Sequence, residues 1–271
     1  MKAWCCIFAT FLSRRTLVAI KSDPKMADRI LKDIRFYESE KQNIEGQSMP
    51  HELGKLFIPT NDTNYIGQRI ARKLNELKYS YGEFDHIYIN LTTFIKENEI
   101  IVSNRNIDKR IKYIDFGIDS EKLNSLQDSE KDNFIKSTTF KVLTHISQNE
   151  GLELVKQTEN LLTEFDTEIK IHFKTKETNS YKVDIYYQIK ALNGGTKAII
   201  EYKDRKNNIC RVGNYKLQFY EDIYTLVDTI NLTDDKIILK PKKSFTADIA
   251  NERYKTPIEL KIEELTKINC H

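Results

Sequence analysis

Two short stretches of the 271-residue sequence, Val183-Asp184-Ile185 and Ile200-Glu201-Tyr202-Lys203, carry side chains able to act together on a phosphate ester. Successive side chains of a strand alternate between faces, so Glu201 and Lys203 point one way while Ile200 and Tyr202 point the other. With Asn193-Gly194 as a hairpin tip, Asp184 stands directly across from Lys203 and Glu201 lies on the diagonal. Such cross-strand neighbours are roughly 5–8 Å apart, within reach of one ion held between them. Two carboxylates beside an amine suit a hard divalent cation such as Mg²⁺, bound by few protein oxygens and several waters. Such an ion activates a water and stabilises the charge that develops on phosphate during in-line displacement. Lys203 would orient that water or neutralise the same charge.

Glu-x-Lys alone carries little information, because it recurs at Glu76-Leu77-Lys78, Glu168-Ile169-Lys170 and Glu259-Leu260-Lys261. The alternative is an exposed cross-strand ion-pair ladder, worth under about 1 kcal/mol. Ile199-Ile200 and Tyr186-Tyr187 instead predict strands covered on both faces, where unpaired charges are costly. His172, between Ile171 and Phe173, reads as a packed or surface histidine. His51, His86 and His145 have no cysteine or acid at zinc-ligand spacing. Gly194-Gly195 lacks the following Lys-Ser/Thr of a phosphate-binding loop.

The elements that position these residues follow from hydrophobic spacing. Residues 152–165 read as a helix, 168–176, 181–190 and 196–203 as strands, 214–229 as a helix and 236–240 as a strand, in the order αβββαβ. A short helix over 246–253 and an apolar segment over 258–262 follow. Upstream, Ser22-Asp23-Pro24 looks like a helix start, with the helix carrying Ile30, Leu31, Ile34 and Phe36 toward Lys41. Asp62 or Thr63 caps a second helix bearing Ile66, Ile70, Leu74 and Leu77. On its other faces stand Arg69, Arg72, Lys73 and Lys78, able to meet phosphate or only solvent. Strands are expected over 84–94, 99–103 and 111–116, and helical spacing returns over 129–147. Gly151 interrupts it, which places the domain boundary there: 1–150 as an α+β region and 151–271 as a second domain.

The second domain resembles the PD-(D/E)xK nuclease superfamily, and within it the Mrr-like restriction endonuclease domains. The residues that carry the resemblance are Lys182-Val183-Asp184-Ile185-Tyr186-Tyr187, Ala198-Ile199-Ile200-Glu201-Tyr202-Lys203-Asp204 and Phe219-Tyr220-Glu221-Asp222-Ile223. It continues through Lys243-Ser244-Phe245-Thr246-Ala247-Asp248-Ile249-Ala250 and Thr256-Pro257-Ile258-Glu259-Leu260. Val183 stands where the superfamily's proline would be. The resemblance implies an α/β restriction-endonuclease-like αβββαβ core, with Asp184 and Glu201 as acids that bind Mg²⁺ or Mn²⁺. It further implies the Tyr202 carbonyl as an added ligand and Lys203 as the catalytic lysine. A further acid or glutamine near the site would be Glu159, with Glu153 and Glu164 competing, or Gln218. The implied activity is endonucleolytic cleavage of DNA, with RNA as the other substrate, in restriction or defence against foreign DNA. The alternative is a non-catalytic nucleic-acid- or protein-binding regulatory protein that keeps the fold. A homodimer would supply two active sites for two strands, and the first region would recognise a target, a trigger or a protein partner.

Composition agrees with a globular chain: 39% hydrophobic, 10% aromatic and 31% charged residues, with 9 Gly and 5 Pro. A formal charge of +3 gives no global basic field, so any nucleic-acid contact must be a local patch. Cys5, Cys6, Cys210 and Cys270 form no C-x-x-C pattern, which argues against a disulfide framework or a zinc site. The apolar run over 3–12 is followed at once by Arg14 and Arg15 without a small-x-small cleavage site, so it is read as a buried strand or helix of a cytoplasmic protein. No other apolar run approaches the ~18 residues of a membrane span.

Overall fold

Alternating apolar residues build the first sheet. In the computed structural model, which describes residues 28–270, β1 (Asp33–Ser39), β2 (His86–Thr92) and β4 (Ile111–Gly117) run parallel, and β3 (Ile100–Val102) joins β4 antiparallel, in the order β1-β2-β4-β3. Ile34, Phe36, Ile87, Ile89, Leu91, Ile114 and Phe116 share one buried face. Against it pack α1 (Thr63–Glu76) and α3 (Asp128–Ile146), with the short α2 (Ser120–Asn124) between β4 and α3. Ile66, Ile70 and Leu74 recur every four residues on α1 and are fully buried, as expected for a core-facing stripe. Gly67 lets this helix lie close to β1, because a Cβ there would sit 2.7 Å from the Ile34 carbonyl oxygen. The apolar segment 3–12, Cys5, Cys6 and the helix start at Ser22-Asp23-Pro24 lie outside the described residues.

The helix expected over 30–41 is a strand instead. Ile30, Leu31, Ile34 and Phe36 fit a helical spacing, but Ile34 and Phe36 also alternate with Asp33, Arg35 and Tyr37, and parallel pairing with β2 decides the outcome. The boundary expected at Gly151 is also displaced. Gly151 lies in the first turn of α4 (Asn149–Phe165), and Val155, Leu162 and the following Ile169 belong to the first core. The second core begins at Ile171.

Beyond it, β5 (Ile171–Glu177), β6 (Tyr181–Tyr187), β7 (Lys197–Asp204) and β8 (Ile209–Lys216) form an antiparallel meander. A one-turn α5 (Ile223–Leu226) leads to β9 (Thr229–Leu232) and β10 (Lys236–Lys240), then α6 (Phe245–Asn251), β11 (Ile258–Lys261) and β12 (Thr266–Ile268). The five-stranded order is β12-β8-β7-β6-β5, and β11-β10-β9 form a separate sheet. Val183, Ile185, Tyr187, Ala198 and Ile200 face Ile223, Leu226, Ile237 and Leu239 across the second core. The fold class is therefore α+β. The helix expected over 214–229 is corrected: residues to Lys216 pair with β7, and only Tyr220–Asp222 (a 3₁₀ turn) and α5 are helical. The αβββαβ order gives way to four consecutive strands, with β10 outside their sheet.

Cys210 and Cys270 form a disulfide, against the reading of the cysteines as unpaired. It fastens the C-terminal residues beside β8, where β12 already pairs through Ile268 and Cys210. Among the described residues no helix is long and apolar enough to cross a membrane.

Two buried features give measurable expectations. Leu162 is 1% exposed within the first core, so Leu162→Ala should cost about 2–5 kcal/mol in urea unfolding, the range for such truncations. Asp85 is fully buried at the foot of β2 and accepts hydrogen bonds from Lys32 (3.0 Å) and Arg110 (3.1 Å), with His86 Nδ1 at 2.6 Å. Burial alone would raise its pKa, but the bonds from Arg110, His86 and Lys32 overcome that and hold the carboxyl well below the usual carboxylate range. A depressed folded pKa contributes stability that is complete above the unfolded value and is lost as pH falls through the folded one. Asp85→Asn should therefore cost about 1.5–3 kcal/mol at pH 7. The gap between wild type and variant should close as pH drops below the ordinary carboxylate range, measured by unfolding at several pH values.

Candidate functional site

The β6–β7 register decides which side chains meet. Asp184 pairs directly with Glu201, Val183 with Tyr202 and Lys182 with Lys203. The expected facing of Asp184 with Lys203 is thus off by two residues. The cause is the connection: the ladder closes where the Gln188 N–H donates to the Lys197 carbonyl at 3.1 Å, leaving 189–196 as a loop rather than a two-residue tip. Ile189 is fully buried and its carbonyl accepts from Arg69 Nη1 at 3.1 Å, which fixes the strand end. The chain then turns through Asn193 (φ 67°) and Gly195 (φ 80°), both left-handed. A slip of two residues, unlike one, leaves every side chain on its own face. Lys182, Asp184, Glu201 and Lys203 therefore still share the face opposite Val183, Ile185 and Ile200.

On that face Asp184 is mostly enclosed, with 13% of its side chain exposed. Thr175, directly opposite on β5, donates to Asp184 Oδ1 at 2.5 Å, and Lys182 Nζ reaches Oδ2 at 2.8 Å. His172 Nε2 lies 2.8 Å from the Thr175 hydroxyl and 3.8 Å from Asp184 Oδ1. Glu201 Oε1 pairs with Lys170 Nζ at 2.7 Å. Lys203 has no ion pair among the described residues, since Asp184 is taken by Lys182 and Glu201 by Lys170. Burial, then the charges of Asp184 and Glu201, push the Tyr186 phenol up to about 12, so it stays a neutral hydrogen-bond donor through the physiological range.

Lys182, Asp184, Tyr186, Glu201 and Lys203 line a cleft of about 360 Å³ together with Tyr202, Arg205, Cys210, Arg211 and, from the C-terminal segment, Ile268 and Asn269. The expected cover on both faces is absent here: β6 and β7 are packed on one side and open to this cleft on the other. Arg211 braces the wall by donating to the Glu263 and Leu265 carbonyls at 3.2 and 3.0 Å.

Three expected contributors behave differently. The Tyr202 side chain faces the second core, and its carbonyl lies in the plane of the sheet, between β6 and β8. Glu159 is exposed on α4, a helix whose buried residues join the first core, so it is not part of the cleft. Gln218 is exposed past the opposite end of β8, where its N–H donates to the Tyr254 hydroxyl at 2.7 Å. Glu153 and Glu164 are likewise exposed on α4.

Sequence reasoning missed Thr175, His172, Lys182 and Lys170 as the carboxylates' partners. Thr178-Asn179-Ser180 is a turn signal that would have set Thr175 opposite Asp184. The irregularity between His172 and Lys174 hides the place of His172, and Lys170 lies before the strand begins. Among the described residues no group of three or more His, Cys, Asp and Glu is arranged to hold a metal ion. Comparison with protein-family models, with curated proteins and with solved structures gives no match to this chain.

Proposed function

We propose that the chain hydrolyses phosphodiester bonds of nucleic acid, DNA in the first place, at the Asp184–Glu201 pair with Mg²⁺ or Mn²⁺ as cofactor. The observation that supports this reading is the direct cross-strand register of the two carboxylates on an open sheet face, with Lys203 one pleat step along. Two carboxylates without a third acid suit a hard cation that keeps most of its waters, and they would be its protein ligands. When bound, the cation would supply an activated water and Lewis-acid stabilisation of the phosphate. Thr175 orients Asp184 by donating to it. Lys203, with no acidic partner among the described residues, would donate to the phosphate oxygen on which charge develops. Lys182 and Lys170, now on the carboxylates, would move to the nucleic-acid backbone when the cation takes their place. The first region would then serve recognition, and a homodimer would provide the second strand's site.

A second reading is a nucleic-acid-binding protein without turnover. It is favoured by one observation: both carboxylates are already neutralised by lysines at 2.8 and 2.7 Å, and Arg205 is paired with Glu177, which leaves Lys203 and Arg211 as cleft cations without a carboxylate among the described residues. The departure from the family's strand order also weighs on this side.

Cleavage of DNA and RNA substrates with Mg²⁺ or Mn²⁺, run beside a binding assay, separates the two. Catalysis predicts metal-dependent cutting that Glu201→Gln and Asp184→Asn remove. Lys203→Ala should lower turnover by about 10²–10³-fold, the scale for losing one transition-state donor, with an unchanged thermal midpoint. Binding without cutting in the wild type, weakened by Lys203→Ala, would replace the first reading by the second. Undiminished cutting by Glu201→Gln would end the assignment.

A further inference from the structure

A second cleft, of about 710 Å³, lies between α1, the outer edge of β1 and Tyr220 of the second unit. It is within the ~300–1,000 Å³ usual for small-ligand sites. At its base stands Arg72, and its surroundings are unusual for an arginine. Its guanidinium lies 5.6 Å from the ring centre of Tyr224, among the phenols of Tyr187 and Tyr220. Its Nε is buried without a hydrogen-bond partner, as is that of Arg69, but unlike Arg69 it makes no ion pair among the described residues. The neighbouring cations of α1 are both occupied: Arg69 by Asp62 and the Ile189 carbonyl, Lys73 by Glu76 and the Lys170 carbonyl. A partly desolvated guanidinium with phenols but no carboxylate beside it keeps its charge open to an anion.

The walls indicate what such an anion would be attached to. Tyr65 from α1 and Tyr37 from β1 add aromatic surface to the lining, beside Tyr220, which is itself 5% exposed. Gln68 and Asp33 are committed to each other, Gln68 also to the Tyr220 hydroxyl at 2.9 Å and Asp33 to Arg35, so they shape the floor rather than repel an anion. The exposed rim carries Glu52 and Glu221, while Lys32 and Arg110 are paired with Asp85. A guanidinium fork matches phosphate oxygens bidentately, and the tyrosines suit a planar heterocycle.

We propose that this cleft binds a mononucleotide, with its phosphate on Arg72 and its base against the tyrosines. The proposal does not depend on the hydrolytic reading of Asp184 and Glu201, which lie on the opposite face of the second sheet from Tyr187.

Calorimetric titration of the full chain with AMP, GMP, CMP and UMP, then with the matching nucleosides and inorganic phosphate, tests it. At least one nucleotide should bind saturably at one site, with its nucleoside and phosphate each at least tenfold weaker. Arg72→Gln should weaken that nucleotide tenfold or more without lowering the thermal midpoint, because no ion pair is broken. Tyr65→Ala should weaken the nucleotide but not phosphate, and Asp184→Asn should leave the affinity unchanged. The proposal fails if none of the four nucleotides binds, or if Arg72→Gln leaves binding intact. It fails equally if Arg72→Gln lowers the midpoint, which would make Arg72 a structural residue. A loss with Asp184→Asn would move the binding to the other cleft.

Discussion

The interaction on which the rest of the molecule depends is the burial of Arg69. It is the largest fully buried side chain of the described residues, at 1% exposure. A cation taken out of water needs acceptors in good geometry, and Arg69 finds them in two parts of the chain: Asp62 at the start of α1, and the carbonyl of Ile189 at the end of β6. One side chain thus joins the first core to the second. Because the Ile189 carbonyl is turned toward Arg69, the β6–β7 ladder ends at Gln188 and Lys197, and that ending sets Asp184 against Glu201. Two further clamps from the same helix hold the neighbouring strand: Lys73 donates to the Lys170 carbonyl at 3.1 Å, and Glu76 accepts from the His172 N–H at 2.8 Å. These fix the chain beside β5, and with it the lysine that reaches Glu201.

The carboxylate cleft is accordingly a product of distant segments. One side comes from the β5–β7 meander, whose alignment is held from behind by α1. The other comes from the last residues of the chain, fastened by the Cys210–Cys270 bond and by the arginine that grips the Glu263 and Leu265 carbonyls. Gly213 permits that crossing, since a Cβ there would meet the Leu265 side chain at 2.5 Å. The acids themselves are short of the donor set a tightly bound cation needs, so whatever ion or backbone they meet must displace lysines already in place.

Much of this was legible in the sequence where one period dominated. The spacing of Ile66, Ile70 and Leu74 marked α1 with its start at Asp62 or Thr63, and Ile87, Ile89 and Leu91 marked β2. Parity alone put Asp184, Glu201 and Lys203 on one face, and it survived the two-residue slip. What failed was decided by tertiary pairing. Ile34 and Phe36 satisfy both periods, and only β2 selects the strand. Leu217, Tyr220, Ile223 and Leu226 repeat every three residues and so suggest a long helix. The first marks the end of a strand, though, and the others sit on a 3₁₀ turn and a single helical turn. The register error came from giving Asn193-Gly194 the role of tip when a buried isoleucine had already fixed the strand end. Cys210 and Cys270 are 60 residues apart, with no local pattern to announce their pairing.

The basic residues of α1 show most clearly where sequence reasoning stops. Arg69, Arg72 and Lys73 stand at helical neighbour spacing and read together as one cationic face awaiting solvent or phosphate. The fold separates them by the acceptors it supplies. Arg69 is neutralised and buried, and its work is to connect two cores. Lys73 is shared between a carboxylate and a carbonyl and secures the approach to β5. Arg72 is brought among tyrosines with no acid, whereas the other two each have a carboxylate. Charge is written in the sequence, but partnership and dehydration are set by packing. The functional weight of a charged residue is therefore read from what the fold withholds from it, and among the described residues the cation of this helix without a carboxylate is Arg72.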